Sequence, residues 1–300
     1  ACLATDAPIA VAPAMNQGMW RAAATLRNGR RLAEDGVRLW GPAEGDQACG
    51  DTGPGRMLEP DDLAARACAL LAPPRCLANR RVVITAGPTR EAIDPVRYLS
   101  NHSSGRQGFA LARAAAEAGA EVTLVTGPVD LPTPAGVRRV DVDSAREMLE
   151  AAGAAARDAD LFVAVAAVAD YRPAEVAAQK LKKDAERPGL VLELVENPDV
   201  VATVARQRGG SARPYTVAFA AETHDVLAHA RGKLERKGVD LVVANDVSDR
   251  SIGFGAEANE VTLVDASGDE ALPRMAKDRL ARVLVERLAA RLDGAAGAGR

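Results

Sequence analysis

Residues 84 to 105 read ITAGPTREAIDPVRYLSNHSSG, a stretch with few apolar side chains and many groups able to hold an anion. It lies between the β-rich run RVVITA (81 to 86) and an Ala/Leu-rich helical pattern that begins near Arg106. Free N–H groups at a helix N-terminus, with the Ser103 and Ser104 hydroxyls alongside, make an anion site. A plain capped helix is the bland alternative. The spacing is neither G-x-G-x-x-G nor Walker A, which excludes an ordinary dinucleotide or P-loop site.

Other polar residues follow apolar runs in the same way. After LFVAVAAVA (161 to 169) come Asp170, Tyr171 and the lysines of QKLKKD. After YTVAFAA (215 to 221) come Glu222, Thr223 and His224, and after DLVVAN (240 to 245) come Asp246 and Ser248. Ligands of open α/β sheets bind outside the carboxyl ends of the strands, so these tips are expected on one rim. QKLKKD reads either as a solvated charge run or as a lid whose ammonium groups neutralise a polyphosphate. Asp170 could serve as a helix cap, a ribose ligand or a metal ligand. Lys233 and Lys237 are spaced i,i+4 and share a helix face. Asn101 could be no more than an Asx-turn, and His102, His224 and His229 show no ligand spacing.

The elements that must position these residues alternate. PIAVA (8 to 12) and VRLW (37 to 40) read as strands around a helix from Gln17 to Asp35, and 61 to 71 as a further helix. APPRCLANR (72 to 80) is the linker candidate, because paired prolines stop a helix. Beyond it, strands are expected at RVVITA, EVTLVTG, VRRVDV, LFVAVAAVA, LVLELV, YTVAFAA and DLVVAN. Ser144 should cap a helix through Arg157, with Glu147 at capping-box spacing. Asn197 should cap another, with Pro198 at its first position. VTLVD (261 to 265) reads as an edge strand, Pro273 to Leu292 as a helix, and the tail 295 to 300 as disordered. Strands alternating with helices imply an α/β fold: a Rossmann-like three-layer αβα sandwich with a mostly parallel sheet.

Composition narrows the partners. Aromatic residues make up 3% of the 300 residues, too few for base-stacking platforms. Net charge is -3 with basic residues dispersed, which gives no field for nucleic acid. Cys2, Cys49, Cys68 and Cys76 form neither a C-x-x-C pair nor a zinc spacing, and read as reduced thiols of a cytoplasmic protein. The longest apolar run, 161 to 169, is too short for a bilayer. The chain opens ACLATDAPIAVAPAMN, without Met and almost at once in a strand, so a longer protein missing its front is expected.

The motifs ITAGPTREAIDPVRYLSNHSSGRQGFALA, AAVADYRP with KLKK ten residues on, ENPDVV, VAFAAET and ANDV resemble the phosphopantothenate–cysteine ligase domain of the bifunctional coenzyme A biosynthesis flavoproteins. That likeness runs from about Arg81 to Leu292, and a ligase domain is expected over 77 to 294. PAMN (13 to 16) and ACGDTGPGRM (48 to 57) resemble the C-terminal part of the family's decarboxylase domain, a flavodoxin-like α/β flavoprotein domain, over 1 to 76. The resemblance implies that the 4'-phosphopantothenate carboxylate attacks the α-phosphate of CTP, releasing pyrophosphate. The amine of L-cysteine then opens the acyl-cytidylate, giving phosphopantothenoylcysteine and CMP. It carries CTP binding to Asp170, Lys180, Asp199, Val200, Val201, Ala202, Phe219, Lys233 and Lys237. It gives Asn101 to the acyl-cytidylate and substrate, Lys180 to the chemical steps, and phosphate to Gly87, Ser103, Ser104 and Gly105. Mg²⁺ should accompany the triphosphate, its protein ligands unassigned. For the decarboxylase, the resemblance makes Asn16 a substrate contact and Cys49 the proton donor. FMN is implied for the full-length protein and not expected here, since the family's FMN-phosphate loop and catalytic histidine precede Ala1. A homo-oligomer is implied, a ligase-domain dimer in which VTLVD could take part.

Two rival readings stand beside the ligase. One is an FMN-dependent decarboxylase whose ligase half is incidental. The other is a nucleotide-binding module without turnover.

Overall fold

A computed structural model describes residue 5 and residues 7–47, 50–71, 74–182, 189–222, 225–246 and 258–297. Cys2, Cys49, Lys183, Thr223, His224 and Ser248 lie outside the described residues, as do the side chains of Glu222 and Asp246. The chain divides into two compact units, Ala1–Pro73 and Pro74–Arg300.

The first unit carries β1 (Ala10–Val11), α1 (Gln17–Arg21), α2 (Ala23–Glu34), β2 (Arg38–Leu39), β3 (Ala43–Asp46), β4 (Thr52–Arg56) and α3 (Pro60–Leu71). β1 and β2 pair in parallel, and β3 and β4 form an antiparallel hairpin. The single expected helix from Gln17 to Asp35 is two, broken where Ala22 leaves helical geometry at ψ 133. No residue of α1, α2 or α3 is buried.

The second unit begins with β5 (Arg81–Ala86), the hairpin β6 (Arg90–Ala92) and β7 (Tyr98–Ser100), and α4 (Arg106–Glu117). It continues through β8 (Glu121–Thr126), β9 (Val137–Asp141), α5 (Ala145–Ala156), β10 (Leu161–Ala164), β11 (Tyr171–Pro173), β12 (Leu194–Glu196) and α6 (Val200–Gln207). It closes with β13 (Tyr215–Glu222), α7 (Val226–Lys237), β14 (Leu241–Asp246), β15 (Ala258–Asp265), β16 (Gly268–Ala276) and α8 (Lys277–Gly297).

Eight of these strands form one sheet in the order β16-β15-β14-β13-β10-β5-β8-β9. The six from β14 to β9 run parallel, and β15 and β16 are antiparallel additions. Both faces of the parallel strands are buried, as their continuous apolar runs require. Leu111 of α4 and Leu284 of α8 pack with Ile84 and Leu124 on one face. Met148 of α5, Val204 of α6 and Ala230 of α7 pack with Phe162 and Val242 on the other. The chain starts in the middle at β5, runs out to β9, then returns to β10 and runs the other way. That reversal opens a crevice between β5 and β10 at their carboxyl ends.

Several expectations are corrected. VTLVD lies inside β15, flanked by β14 and β16, with Val261, Leu263 and Val264 buried in its own sheet. It is therefore not an edge open to a second copy. The edge is β16, and Pro273, expected in a helix, lies within it. A proline is tolerated there because one side of an edge strand needs no N–H. LFVAVAAVA is strand only to Ala164, and the rest lines the crevice. The backbone of 295 to 297, expected to be disordered, continues α8. No helix among the described residues is long and apolar enough to cross a membrane.

Candidate functional site

The crevice is a cleft of about 870 Å³ in the second unit. Its floor comes from the two central strands. The Thr85 hydroxyl accepts the N–H groups of Val165 and Ala166 at 3.2 and 3.3 Å, which holds the chain after β10 against the end of β5. Ala167 N–H donates to the Gly87 carbonyl at 2.9 Å, and the Thr89 hydroxyl accepts the Ala169 N–H at 3.0 Å. Gly87 sits at φ 72, where a Cβ would stand 2.9 Å from the Gly127 carbonyl oxygen, so the turn leaving β5 needs glycine.

Helix α4 comes close over the same strand end. A Cβ on Gly108 would meet the Ala86 Cβ at 2.5 Å, so its absence lets the first turn approach the sheet. The N-terminus of α4 has no side-chain cap; its N-cap residue is Gly105 at φ 74. Its leading amides are thus available to an anion. Ser103 Oγ accepts the Gly105 N–H at 3.3 Å and shapes the turn. Asn101, exposed, is fixed by donation from Nδ2 to the Ala167 carbonyl at 3.0 Å.

Helix α6 is capped differently from the expectation. Asp199, not Asn197, is the N-cap, and its Oδ1 accepts the Ala202 N–H at 3.0 Å. Asn197 donates its side-chain N–H to the Ala169 carbonyl at 2.8 Å, and Pro198 precedes the cap rather than following it. The other Asp199 oxygen meets Lys237 Nζ at 2.9 Å, which brings α7 to the cleft. Ser144 does cap α5, accepting the Glu147 N–H at 3.3 Å, but Glu147 reaches back to Asp143 N–H at 2.7 Å instead of Ser144.

Gly87, Asn101, Ser103, Ser104, Gly105, Asp170, Asp199, Val200, Val201, Phe219, Lys233 and Lys237 all line this one cleft. Ala202 does not line it and serves the cap. Lys180 also stands outside the lining: it is exposed, and the neighbouring Leu181 N–H donates to Asp94 Oδ2 at 3.1 Å. Asn16 lies in the first unit, where Oδ1 accepts the Gly18 N–H at 2.7 Å and Nδ2 donates to Asp51 at 2.9 Å. Cys49, the expected proton donor, lies outside the described residues.

Among the cleft residues that sequence reasoning missed are Thr85, Arg106, Gln107, Glu196, Asn245, Asn259 and Lys277. Asn245 carried a usable signal, an amide at the carboxyl end of a buried strand. It also missed that the long polar loop satisfies itself. Glu91, buried, accepts the Ala145 N–H at 3.0 Å, and Asp94 accepts the N–H groups of Val96 and Arg97 at 2.8 and 2.9 Å. Burial and then the nearby Arg106 push the Lys277 ammonium below its ordinary value.

Residues 77–292 match the family described as the DNA/pantothenate metabolism flavoprotein C-terminal domain, and residues 1–72 match the flavoprotein family. The chain is 54% identical over 286 residues to the coenzyme A biosynthesis bifunctional protein CoaBC of Vibrio vulnificus, covering 95% of this chain and 71% of that protein. The CoaBC of Escherichia coli is 52% identical over 293 residues, covering 97% and 72%. The chain belongs to the bifunctional coenzyme A biosynthesis proteins. A crystal structure of the C-terminal domain of a CoaBC aligns with TM-score 0.62 at 37% identity, over 73% of this chain and 99% of that one. A Cab2 variant in complex with phosphopantothenate-cysteine shares the fold, with TM-score 0.60 at 15% identity, over 79% and 95%. Because the flavoprotein family covers 1–72, the expectation that FMN is foreign to this chain is not supported.

Proposed function

We propose that this chain ligates 4'-phosphopantothenate to L-cysteine at the expense of CTP, as one activity of a bifunctional enzyme of coenzyme A biosynthesis. The observation that carries the reading is the single cleft in which an uncapped helix N-terminus and Lys233 and Lys237 face the same space at the sheet's reversal point. A triphosphate and a carboxylate nucleophile, both anionic, need such convergence of donors before they can meet.

In this reading the α4 amides and the lysines hold the phosphates of CTP while the 4'-phosphopantothenate carboxylate attacks the α-phosphate and pyrophosphate leaves. Asn101, anchored on the Ala167 carbonyl, stands at the mouth, where the acyl-cytidylate forms. The L-cysteine amine then displaces CMP. Lys180 reaches the cleft only if the segment pinned by Asp94 moves inward, so its part in the chemistry requires a closing step. No three His, Cys, Asp or Glu side chains converge as a metal site among the described residues. In this reading Mg²⁺ accompanies the triphosphate and neutralises oxygens that the lysines do not reach.

For the decarboxylase activity, FMN would find apolar cover in the first unit, where Val11, Met19, Leu26, Leu32 and Met57 are exposed. When bound, FMN would supply two-electron redox chemistry, accepting an electron pair from the substrate and returning it after carbon dioxide has left. Asn16 and Asp51 would orient the product of ligation there. A homodimer through the second unit completes the proposal.

The test is pyrophosphate release with CTP, 4'-phosphopantothenate and L-cysteine, each omitted in turn. Release is expected to need CTP and 4'-phosphopantothenate together, with CMP appearing only when L-cysteine is added. Consumption of CTP at the same rate without 4'-phosphopantothenate overturns the reading.

A further inference from the structure

Thr89 is 0% exposed and does not line the cleft, yet it sits between two segments that do. An isolated parallel bridge between Pro88 and Ala167 extends the pairing of β5 with β10 beyond the strand ends. Ala167 N–H donates to the Gly87 carbonyl at 2.9 Å, and Thr89 N–H to the Ala167 carbonyl at 3.3 Å. In a continued parallel ladder the next donor, Ala169 N–H, would go to the Thr89 carbonyl. It goes instead to the Thr89 hydroxyl at 3.0 Å.

That exchange frees the Thr89 carbonyl, which accepts the Ser100 hydroxyl at 2.7 Å. Ser100 ends β7 and directly precedes Asn101. Asn101 in turn donates from Nδ2 to the Ala167 carbonyl at 3.0 Å, the same oxygen that Thr89 N–H meets. Thr89 thus joins the turn that carries Asn101 to the chain leaving β10. A valine of similar shape has no oxygen on its side chain, so Ala169 N–H would have only the backbone carbonyl to turn to.

The groups that face the nucleotide in the ligase reading are held by other means. Asn197 donates from Nδ2 to the Ala169 carbonyl and from its backbone N–H to the Asp170 carbonyl, both at 2.8 Å, which keeps Asp170 in place. Lys233 and Lys237 belong to α7, and the leading amides to α4. Among the described residues, the hydrogen bonds of Thr89 reach Ala167, Ala169 and Ser100, and neither of those helices.

We propose that Thr89 is a positioning residue for the second half of the reaction, its hydroxyl fixing Asn101 through the Ala167 segment and the Ser100 turn. The inference rests on the ligase reading, in which Asn101 handles the acyl-cytidylate, and adds to it a residue that touches no substrate. Without the hydroxyl, Ala169 N–H takes the Thr89 carbonyl and displaces Ser100. Asn101 then shifts away from the intermediate while the groups around the nucleotide stay. Misplacing a group by about 1 Å at a reacting centre costs up to about 100-fold in rate. The competing account is a staple that stabilises the fold and does nothing for the chemistry.

The two accounts differ in the half-reactions of the full chain. Pyrophosphate release in the first turnover is measured with CTP and 4'-phosphopantothenate, and CMP formation after L-cysteine is added. Thr89→Val should keep the CTP KM and the first-turnover pyrophosphate release within about twofold of wild type, and should form CMP about tenfold or more slowly. Thr89→Ser retains the hydroxyl and should restore CMP formation. Ser100→Ala should slow CMP formation with the same selectivity. In an Asn101→Ala background, Thr89→Val should add no further loss, because the two act on one step through one contact. Equal losses in both half-reactions, a Thr89→Ser no faster than Thr89→Val, or losses that multiply with Asn101→Ala overturn the positioning role. If Thr89→Val does not fold, Ser100→Ala decides, and a wild-type rate of CMP formation in that variant overturns the role. Wild-type kinetics in a folded Thr89→Val overturn it while the ligase reading survives. Wild-type protein that releases no pyrophosphate from CTP and 4'-phosphopantothenate overturns the ligase reading itself.

Discussion

At the start of α6 the Asp199 carboxylate accepts the Ala202 N–H with one oxygen and meets Lys237 with the other. Burial raises its pKa, but Lys237, the Ala202 N–H and Arg206 pull it further down, and the net value lies below the ordinary one. A cap, an ion pair and a cleft wall thus share one side chain. Lys237→Met should raise the CTP KM about tenfold, the scale of a lost charge-assisted hydrogen bond. It should change stability by less than about 1 kcal/mol, because the pair is partly solvated. Asp199→Asn keeps a capping oxygen and should melt like wild type. Thermal melting alongside steady-state kinetics checks both; a KM that stays put in Lys237→Met removes that lysine from the nucleotide. The sequence motif made Asp199 and Lys237 legible as candidates. Gln107, Asn245 and Asn259 were not, since three amides far apart in sequence each read as structural until the sheet brings them to one place.

The β6–β7 hairpin shows what an element can do for a residue it does not contain. Asp94, 3% exposed, accepts the backbone N–H groups of Val96, Arg97 and Leu181, and its Oδ2 accepts both Nε and Nη2 of Arg97, which also donates to the Leu181 carbonyl at 2.9 Å. The Arg97 guanidinium, aided by these N–H groups and opposed by burial, holds the Asp94 carboxyl well below the usual carboxylate range. A depressed folded pKa gives stability that is fully present above the unfolded value of about 4 and is lost as pH falls toward the folded one. Wild type should therefore exceed Asp94→Asn in urea midpoint by a constant margin from about pH 5 to 8, and the margin should shrink below about pH 4. Because Asp94 pins Leu181, the variant should also alter kcat through Lys180. A margin that widens with acid would contradict the assignment. Element identities in the parallel core were legible from continuous apolar runs. β16 was not, because Pro273 argues against a strand wherever the edge position is unknown.

At the scale of the whole molecule, both faces of the large sheet are packed by residues of the second unit alone. The two apolar clusters draw every member from Cys76 onward, ending at Leu292. The first unit by contrast buries nothing from its three helices within the described residues. The division was legible as the paired prolines at 73 and 74, though Leu77, 1% exposed, belongs to the core and not to a linker. The strand order, which creates the cleft, was not legible, because hydrophobic pattern specifies strands and not their neighbours. A chain beginning at Pro74 should melt cooperatively within a few degrees of the full chain, since it keeps the complete core. It should also retain pyrophosphate release that depends on CTP and 4'-phosphopantothenate. Residues 1–73 alone should show no cooperative transition, since too little apolar surface is buried to offset chain entropy. Starting instead at Val82 removes Leu77 and the Arg80 contact to Asp160 at 3.6 Å, and should lower the melting temperature markedly. If the Pro74 chain folds but no longer releases pyrophosphate, the first unit contributes to ligation, and the assignment of the whole reaction to the sheet's carboxyl edge fails.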